Sequence, residues 1–510
     1  MMDDSDGETE LLRTFSNGWG SGMEEPREVK PVQQISSGSQ TGGAPSAASA
    51  IVDLALGKYT LGISEKDGPF ALPKCGAPVI KMLRGGKDSL RAELAKDYRR
   101  TTGRVAPQQA LTDALQVLEG EAQDLEPVEL HMRVAAAQGY HWYDLGDQTG
   151  RAVRIGPDGW QVVDRPPVLF QRSALTAACP EPARGGTNAD LFALTNAAES
   201  DKPLLIAAMV AAFWPSIAHP IVAFSGEQGT GKSTNAMRVT GIVDPSTVPL
   251  RKSPRDAESW ITAAAGSWMV TVDNISTINE WFSDALCRAS TGDGDVKRRL
   301  YSDAALSVFS FRRCVMLTGI DLGGLRGDLT ERLLRIELDT IQAKDRRSEA
   351  QMAQEYAAAH PRTIGALLTL VAQVMAALPL VDLTETMRLA DFHRILAAVD
   401  QVLGTDGCAR YQAQHQSMAA DSLTANPFTA LMMEHATAFT GTAGQLLDLV
   451  QSRNLEHHRA PAGWPKSARA VTTLLRRDAP ALRSGGWRVT SAENRLGVLT
   501  WSLQAPESAG

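Results

Sequence analysis

Gly226, Gly229 and Gly231 punctuate an octet, Gly226-Glu227-Gln228-Gly229-Thr230-Gly231-Lys232-Ser233, that closes on a cation and a hydroxyl. Glycines at this spacing let backbone N–H groups curl around the α- and β-phosphates of a nucleotide. Lys232 is then placed to reach the β- and γ-phosphates, and Ser233 to ligate Mg²⁺. Residues 220–225 before the octet are apolar and β-branched enough for a buried strand. Ser233 and Thr234 open a run that continues as a helix until Gly241, adding the partial positive charge of a helix N-terminus. Strand, glycine loop and helix are the context this motif requires. The expectation is a nucleoside triphosphate site with Mg²⁺.

Such a site needs an acid near the metal. Trp268-Met269-Val270-Thr271-Val272-Asp273-Asn274 is an apolar strand ending in a carboxylate, the form in which Asp273 contacts Mg²⁺ through water. The alternative is an ordinary core strand with an aspartate at its end. A second, water-activating acid would follow, but Asn274 stands there. Either Glu227 or Glu280 serves as base, or hydrolysis is slow. A third apolar run, 313–319, carries Thr318 at its polar end, and Arg326 and Arg332 follow it. An arginine lent to a neighbouring subunit stabilises transition-state charge on the γ-phosphate. For Arg332 the competing expectation is an ion pair with Asp328 at i,i+4. Between the second and third strands, Lys297, Arg298 and Arg299 lead into a hairpin expected through 308–313. They suit a phosphate backbone, or equally a solvated turn.

The elements that must hold these groups divide the chain into six regions. Residues 1–47 read as an acidic, Gly/Ser-rich disordered tail and linker, and 48–125 as an α+β region with two amphipathic helices after short strands. Residues 126–186 read as a β meander and hinge, and 187–340 as the nucleotide core. Residues 341–440 read as a helical domain, with helices expected at 344–359, 363–377 and 387–403. From 441 onward, a helix at 443–451, a second at 467–477 and a hairpin near Trp487 and Trp501 form a winged-helix-like module. Arg469, Arg476 and Arg477 on its second helix are candidate contacts to the major groove of duplex DNA. The alternative is a packing or lid domain with a mildly basic surface.

Composition sets limits. A net charge of −7 restricts any DNA contact to local basic patches on an acidic body. The five cysteines are scattered without a Cys-x-x-Cys pair, which disfavours a disulfide framework or zinc site and fits a reducing, cytoplasmic setting. No signal peptide is legible, and the apolar stretch 204–224 is broken by Pro215, His219 and Pro220, so no membrane partner is expected.

The motifs GEQGTGKS, WMVTVDN, TGDGDVKRRLYSD, CVMLTGI and GDLTERLL, packed between Gly226 and Arg332, resemble superfamily 3 helicases. The resemblance is to the poxvirus-type and phage-type primase–helicase ATPases of the AAA+ class. The runs HPIVAFSGEQGTGKST and WFSDALCRASTG are similar to ATP-binding proteins of actinobacterial phages and integrative elements. The resemblance implies an α/β, AAA+-like P-loop ATPase core, a homo-oligomeric, hexamer-like ring, and translocation on single-stranded DNA held in a channel. It implies a γ-phosphate sensor role for Thr318 and an arginine finger at Arg326 or Arg332. Two departures stand out: the family usually carries Asn where Thr318 stands, and no primase signature of paired Asp residues or zinc cysteines is present. The function expected is an ATP-dependent DNA motor, a replicative helicase of a phage or mobile element. The alternative is an ATP-switched initiator or loader that does not unwind. A small-molecule kinase fits poorly, because nothing resembles a substrate lid after the loop.

Overall fold

Helical spacing of apolar residues builds the first layer of the computed structural model, which describes residues 45–64, 66, 68–84, 89–298, 306–319, 327–453, 461, 464–493 and 497–506. Helices α1 (Ala47–Lys58), α2 (Leu90–Thr102) and α3 (Gln108–Gln123) turn Ile51, Leu94, Tyr98, Leu111 and Leu118 onto the antiparallel sheet of β1 (Tyr59–Ser64), β2 (Gly68–Pro73) and β3 (Lys81–Met82). These residues close a hydrophobic cluster of their own.

The meander is not independent in the same way. Strands β4 (Leu130–His131) and β9 (Leu169–Phe170) pair in parallel. Between them, β5 (Val134–Ala137), β6 (Tyr140–Asp144), β7 (Ala152–Gly156) and β8 (Gly159–Val163) form an antiparallel sheet in sequential order. Tyr143, Val153, Ile155 and Trp160 on this sheet share one hydrophobic cluster with the central α/β layer. Trp160 Nε1 donates to Thr369 Oγ1 at 3.0 Å, and the Arg184 guanidinium lies 3.8 Å from the Trp160 ring centroid. The region expected as a separate meander is thus bolted to the layer behind it.

That layer contains α4 (Asn188–Phe192), α5 (Lys202–Ala211), α6 (Lys232–Val243), α7 (Ala257–Ala265) and α8 (Glu280–Thr291). They flank a four-stranded sheet of β10 (Ile221–Ser225), β11 (Met269–Val272), β14 (Cys314–Thr318) and β15 (Leu333–Glu337). Its order is β11-β14-β10-β15 and every pairing is parallel. The strands read as unbroken apolar runs because both faces are covered. Alternation sorts them: Val222, Phe224, Met316 and Ile336 face α5 and α6, while Ile221, Ala223, Val315 and Leu317 face Trp260, Phe282 and Leu286. An isolated parallel bridge from Arg251 to Val272 extends the sheet beyond β11.

The expected hairpin starts earlier than its sequence suggests. Asp293–Arg298 is itself a strand, β12, paired antiparallel with β13 (Leu306–Phe311), although Gly-Asp-Gly-Asp reads as a turn. After the short helix α9 (Gly327–Thr330) and β15 comes a second difference. The helices expected at 344–359 and 363–377 are one helix, α10 (Glu349–Ala377), running through Pro361. An interior proline costs about 3 kcal/mol. Burial of Ile364, Leu367, Leu368, Leu370, Val371 and Val374 in the main core outweighs it. Among the described residues α10 is the helix long and apolar enough to cross a membrane; more than half of its apolar window is buried inside the chain. Helices α11 (Ala390–Leu403) and α12 (Gly407–Thr424) complete this layer. Arg410 Nε of α12 donates to the fully buried Asp201 at 2.6 Å, and Asp201 also accepts from Glu337 N at 2.9 Å.

The C-terminal module begins before the expected 441. Phe428 and Met432 of α13 (Pro427–His435) pack in one cluster with Leu446, Trp464, Val471, Leu475 and Trp501. Strand β16 (Ala438–Thr442), α14 (Ala443–Arg453), α15 (Ala468–Ser484), β17 (Arg488–Glu493) and β18 (Leu499–Gln504) follow, with sheet order β16-β18-β17. Strand β16 has no legible signal, being five small or half-exposed residues whose partner lies at the far end of the module.

Candidate functional site

The site forms where the parallel strands end. Between β10 and α6, Gly226 (φ 142°), Gly229 (φ 88°) and Gly231 (φ 78°) all adopt backbone conformations that L side chains rarely reach, so the loop's path needs glycine there. Thr230 is buried and donates from Oγ1 to Glu227 O at 3.0 Å, while Glu227, Gln228 and Gly229 form an exposed crest. Lys232 folds back over the crest, donating from Nζ to Gly226 O and Glu227 O, each at 2.8 Å. Ser233 and Thr234 sit half-buried in the first turn of α6.

The loop is braced by two asparagines that sequence reasoning did not single out. Asn235 Nδ2 donates to Gly231 O at 2.9 Å and to Asn196 Oδ1 at 2.6 Å. Asn196 Nδ2 in turn donates to Thr230 O at 3.1 Å and to Asp339 O at 2.8 Å. The one available signal was Asn235 itself, a poor helix former placed early in a helix.

Strand β14 separates β10 from β11, yet the side chain at β11's tip crosses that gap. Asp273 Oδ1 accepts from Ser233 Oγ at 2.7 Å and from Thr318 Oγ1 at 2.5 Å. Thr318 Oγ1 also accepts from Asn274 N at 3.0 Å. Asn274 itself has φ 56°, a left-handed conformation asparagine tolerates better than most residues, and its side chain is exposed. The turn depends on Gly319: a Cβ there would sit 3.0 Å from Asn274 Cα. Asp273 N is held by Arg251 O at 2.8 Å.

Deeper contacts fix α6 against β11. Thr240 and Thr271 hydroxyls meet at 2.7 Å. Asp244, just past α6, accepts from Trp268 N at 2.8 Å and Met269 N at 2.9 Å. Its other oxygen takes Arg133 Nε at 2.7 Å, and this buried guanidinium reaches three backbone carbonyls, Asp144 O, Ala177 O and Pro245 O. One buried pair therefore sets how the helix carrying Lys232 and Ser233 stands relative to the strand carrying Asp273.

The structure thus brings Lys232, Ser233, Asp273, Asn274 and Thr318 together. It does not bring Arg332 to them. Arg332 is buried at the amino end of β15, donating from Nη1 to Asp328 O at 2.8 Å and Asp328 Oδ1 at 2.6 Å. Arg388 joins Asp328 at 3.0 Å and also binds Glu331. Burial pushes the Asp328 carboxyl up, but the Arg332 hydrogen bond and charge overcome it and hold it below its ordinary value. The i,i+4 ion pair is the arrangement present within this chain. Arg326 and Arg299 lie outside the described residues. Lys297 and Arg298 lie in β12 opposite Ser307 and Leu306, where the backbone alone is described.

On α15, Arg469 and Arg476 are exposed, seven residues apart on one face. Arg477 is turned differently: it pairs with Asp478 at 2.7 Å and lines a cleft of about 540 Å³ with Glu331, Arg388 and His415.

Comparison with known proteins adds the family. The model described as "Actinomycete integrative conjugative element replication protein" matches residues 189–421, and "AICE RepA C-terminal domain" matches residues 425–508. No curated protein matches. Among solved structures, an apo structure of the NrS-1 C terminal region is 9% identical with a TM-score of 0.38, covering 91% of this chain and 100% of that one. An A form apo structure of the same region is 10% identical with a TM-score of 0.37, covering 90% and 99%. Neither likeness is close enough to assign a fold. The two family models run in succession over the α/β layer, the helices behind it and the C-terminal module, and on them the chain belongs to the replication proteins of actinomycete integrative conjugative elements.

Proposed function

We propose that this chain is an ATP-dependent DNA motor, a superfamily 3-like replicative helicase with an AAA+-like P-loop core. The observation that carries the reading is the 2.7 Å contact between Ser233 Oγ and Asp273 Oδ1, two groups from elements separated by a whole strand. A hydroxyl and one carboxylate suit Mg²⁺, a hard cation that keeps several waters and takes its remaining ligands from phosphate. Mg²⁺ supplies neutralisation of charge developing between the β- and γ-phosphates.

The chain's own residues account for the rest. The loop lies at the carboxyl ends of parallel strands where strand order reverses, the usual place for a ligand in such sheets. Its glycines leave the loop backbone bare at positions 226, 229 and 231. The acceptors of Lys232 are carbonyls of that same loop, which phosphate oxygens replace at little cost because the exchange gains a charge-assisted bond. Thr318 orients Asp273 and holds the Asn274 N–H, which makes it the residue to register what occupies the γ-position. Asn274 cannot take a proton from water, so Glu227 or Glu280 serves as base. Subunits meet in a ring, with Arg326 offered to the neighbour's nucleotide, since Arg332 is held by Asp328 of its own chain.

For DNA, Lys297 and Arg298 of β12, with Arg299 next in sequence, are the cations for a single-stranded backbone in the channel. The helix–strand–helix–helix–strand–strand order of the C-terminal module supports a winged-helix-like reading, with Arg469 and Arg476 of α15 facing duplex DNA and Arg477 turned toward the body.

A second reading, an ATP-switched initiator or loader without unwinding, has two observations in its favour. Asn274 occupies the second acid's place, and Arg332 is tied to its own chain. ATP turnover with and without single-stranded DNA, in wild type and Lys232→Ala, separates them. The motor reading expects turnover that DNA stimulates and that Lys232→Ala reduces at least about 100-fold. Turnover absent under every condition removes it.

A further inference from the structure

A second cation stands beside the glycine loop, and nothing in the motor reading uses it. After β15 the chain turns back along the loop as a strap. Asp339 N donates to Asn196 O at 2.9 Å, and Asn196 Nδ2 donates to Asp339 O at 2.8 Å. Because Asn196 also holds Thr230 O, strap and loop share one bracket. Ile341 Cδ1 lies 3.5 Å from where a Cβ on Gly231 would be, and Arg346 Nη2 lies 4.0 Å from where one on Gly229 would be. A single 3-10 turn, Ala343–Asp345, joins those two contacts, closed by Asp345 N to Gln342 O at 2.9 Å. The strap ends at Ser348, which caps α10 by accepting from Gln351 N at 3.3 Å.

The neighbouring arginine is committed elsewhere: Arg347 binds Glu355. Arg346 instead extends, exposed, to the crest of the loop, where the bare Gly229 leaves no side chain between them. A guanidinium fork matches phosphoryl oxygens two at a time, which a lysine cannot do.

We infer that Arg346 is a nucleotide-binding residue acting in cis, its guanidinium donating to the terminal phosphates of a triphosphate held by the glycine loop. The inference rests on the reading of that loop as a nucleotide site. Arg346 supplies a charge that Lys232 alone does not, and it stands three residues before the first turn of α10, so triphosphate and diphosphate differ in how firmly they hold the strap.

The test is titration of the full chain, in Mg²⁺, with fluorescent N-methylanthraniloyl derivatives of ATP and ADP. Wild type is compared with Arg346→Ala, Arg346→Lys and Lys232→Ala. Arg346→Ala is expected to weaken ATP about tenfold and ADP less than about threefold, with Arg346→Lys between, and with unchanged thermal unfolding. Unaltered ATP affinity in Arg346→Ala, while Lys232→Ala loses binding, overturns this inference and leaves the loop reading intact. Equal loss for ATP and ADP overturns the assignment to terminal phosphates. Wild-type affinity in Lys232→Ala overturns the loop reading itself, and this inference with it.

Discussion

The two ends of the parallel sheet are built from similar side chains put to opposite uses. At the carboxyl end, Lys232 rests on its own loop's carbonyls, and Asp273 takes its hydrogen bonds from two hydroxyls. Each of those bonds is neutral on one side, so a phosphate or a metal ion can replace it with a stronger one. At the amino end, Arg133 and Asp244 are both charged, buried and saturated by backbone groups, and Arg332 is closed onto Asp328. Nothing there can be exchanged without leaving a buried charge alone. The same residue types therefore leave exchangeable bonds or form a rivet according to what they are bonded to.

The contrast breaks if the two ends respond alike to substitution. Asp244→Ala strands Arg133 and unsatisfies Trp268 N and Met269 N, and should cost at least about 3–5 kcal/mol in urea unfolding. Ser233→Ala, at the other end, should change stability by less than about 0.5 kcal/mol. Comparable losses would put Ser233 among the rivets.

A smaller effect sharpens the amino end. His219 is buried against the Trp268 ring, neither ring nitrogen has a partner among the described residues, and burial, helped by Arg312, pushes its pKa down to about 3. The folded pKa lies below the unfolded one, near 6.5. The contribution of neutral His219 is therefore whole above that value and is lost as pH falls toward 3. Between pH 7 and pH 5 the loss is about 2 kcal/mol, at 1.36 kcal/mol per pH unit. His219→Leu should flatten the pH dependence of the urea midpoint by that amount; an unchanged slope would mean His219 is not the group that titrates.

The carboxyl end was the legible one. Glycines at left-handed positions leave a spacing in the sequence, and Asp273 and Thr318 close apolar runs, so their elements could be read before their neighbours were known. The insertion of β14 between β10 and β11 could not be read, because strand order follows from crossovers that leave no local pattern. The braces were hidden for a related reason: Asn196 meets Asn235, and Arg133 meets Asp244, only after distant segments fold together. Pro361 misled in the other direction, since its local penalty is real but smaller than the burial on its C-terminal side. Strand β16 carried no pattern at all, and its membership in the C-terminal module depends on pairing with β18. The Asp328–Arg332 spacing permitted an ion pair and a trans-acting arginine alike, and only the fold displays the pair.

The central claim is that Ser233 and Asp273 are two ligands of one metal–triphosphate site, and the most direct measurement is ATP affinity with Mg²⁺ against affinity in a chelator. The account predicts that Mg²⁺ tightens ATP binding at least about tenfold in wild type and not in Asp273→Asn, a variant that still accepts the Ser233 and Thr318 hydrogen bonds. Wild-type affinity indifferent to Mg²⁺, or an Asp273→Asn protein that keeps the full Mg²⁺ effect, would contradict it.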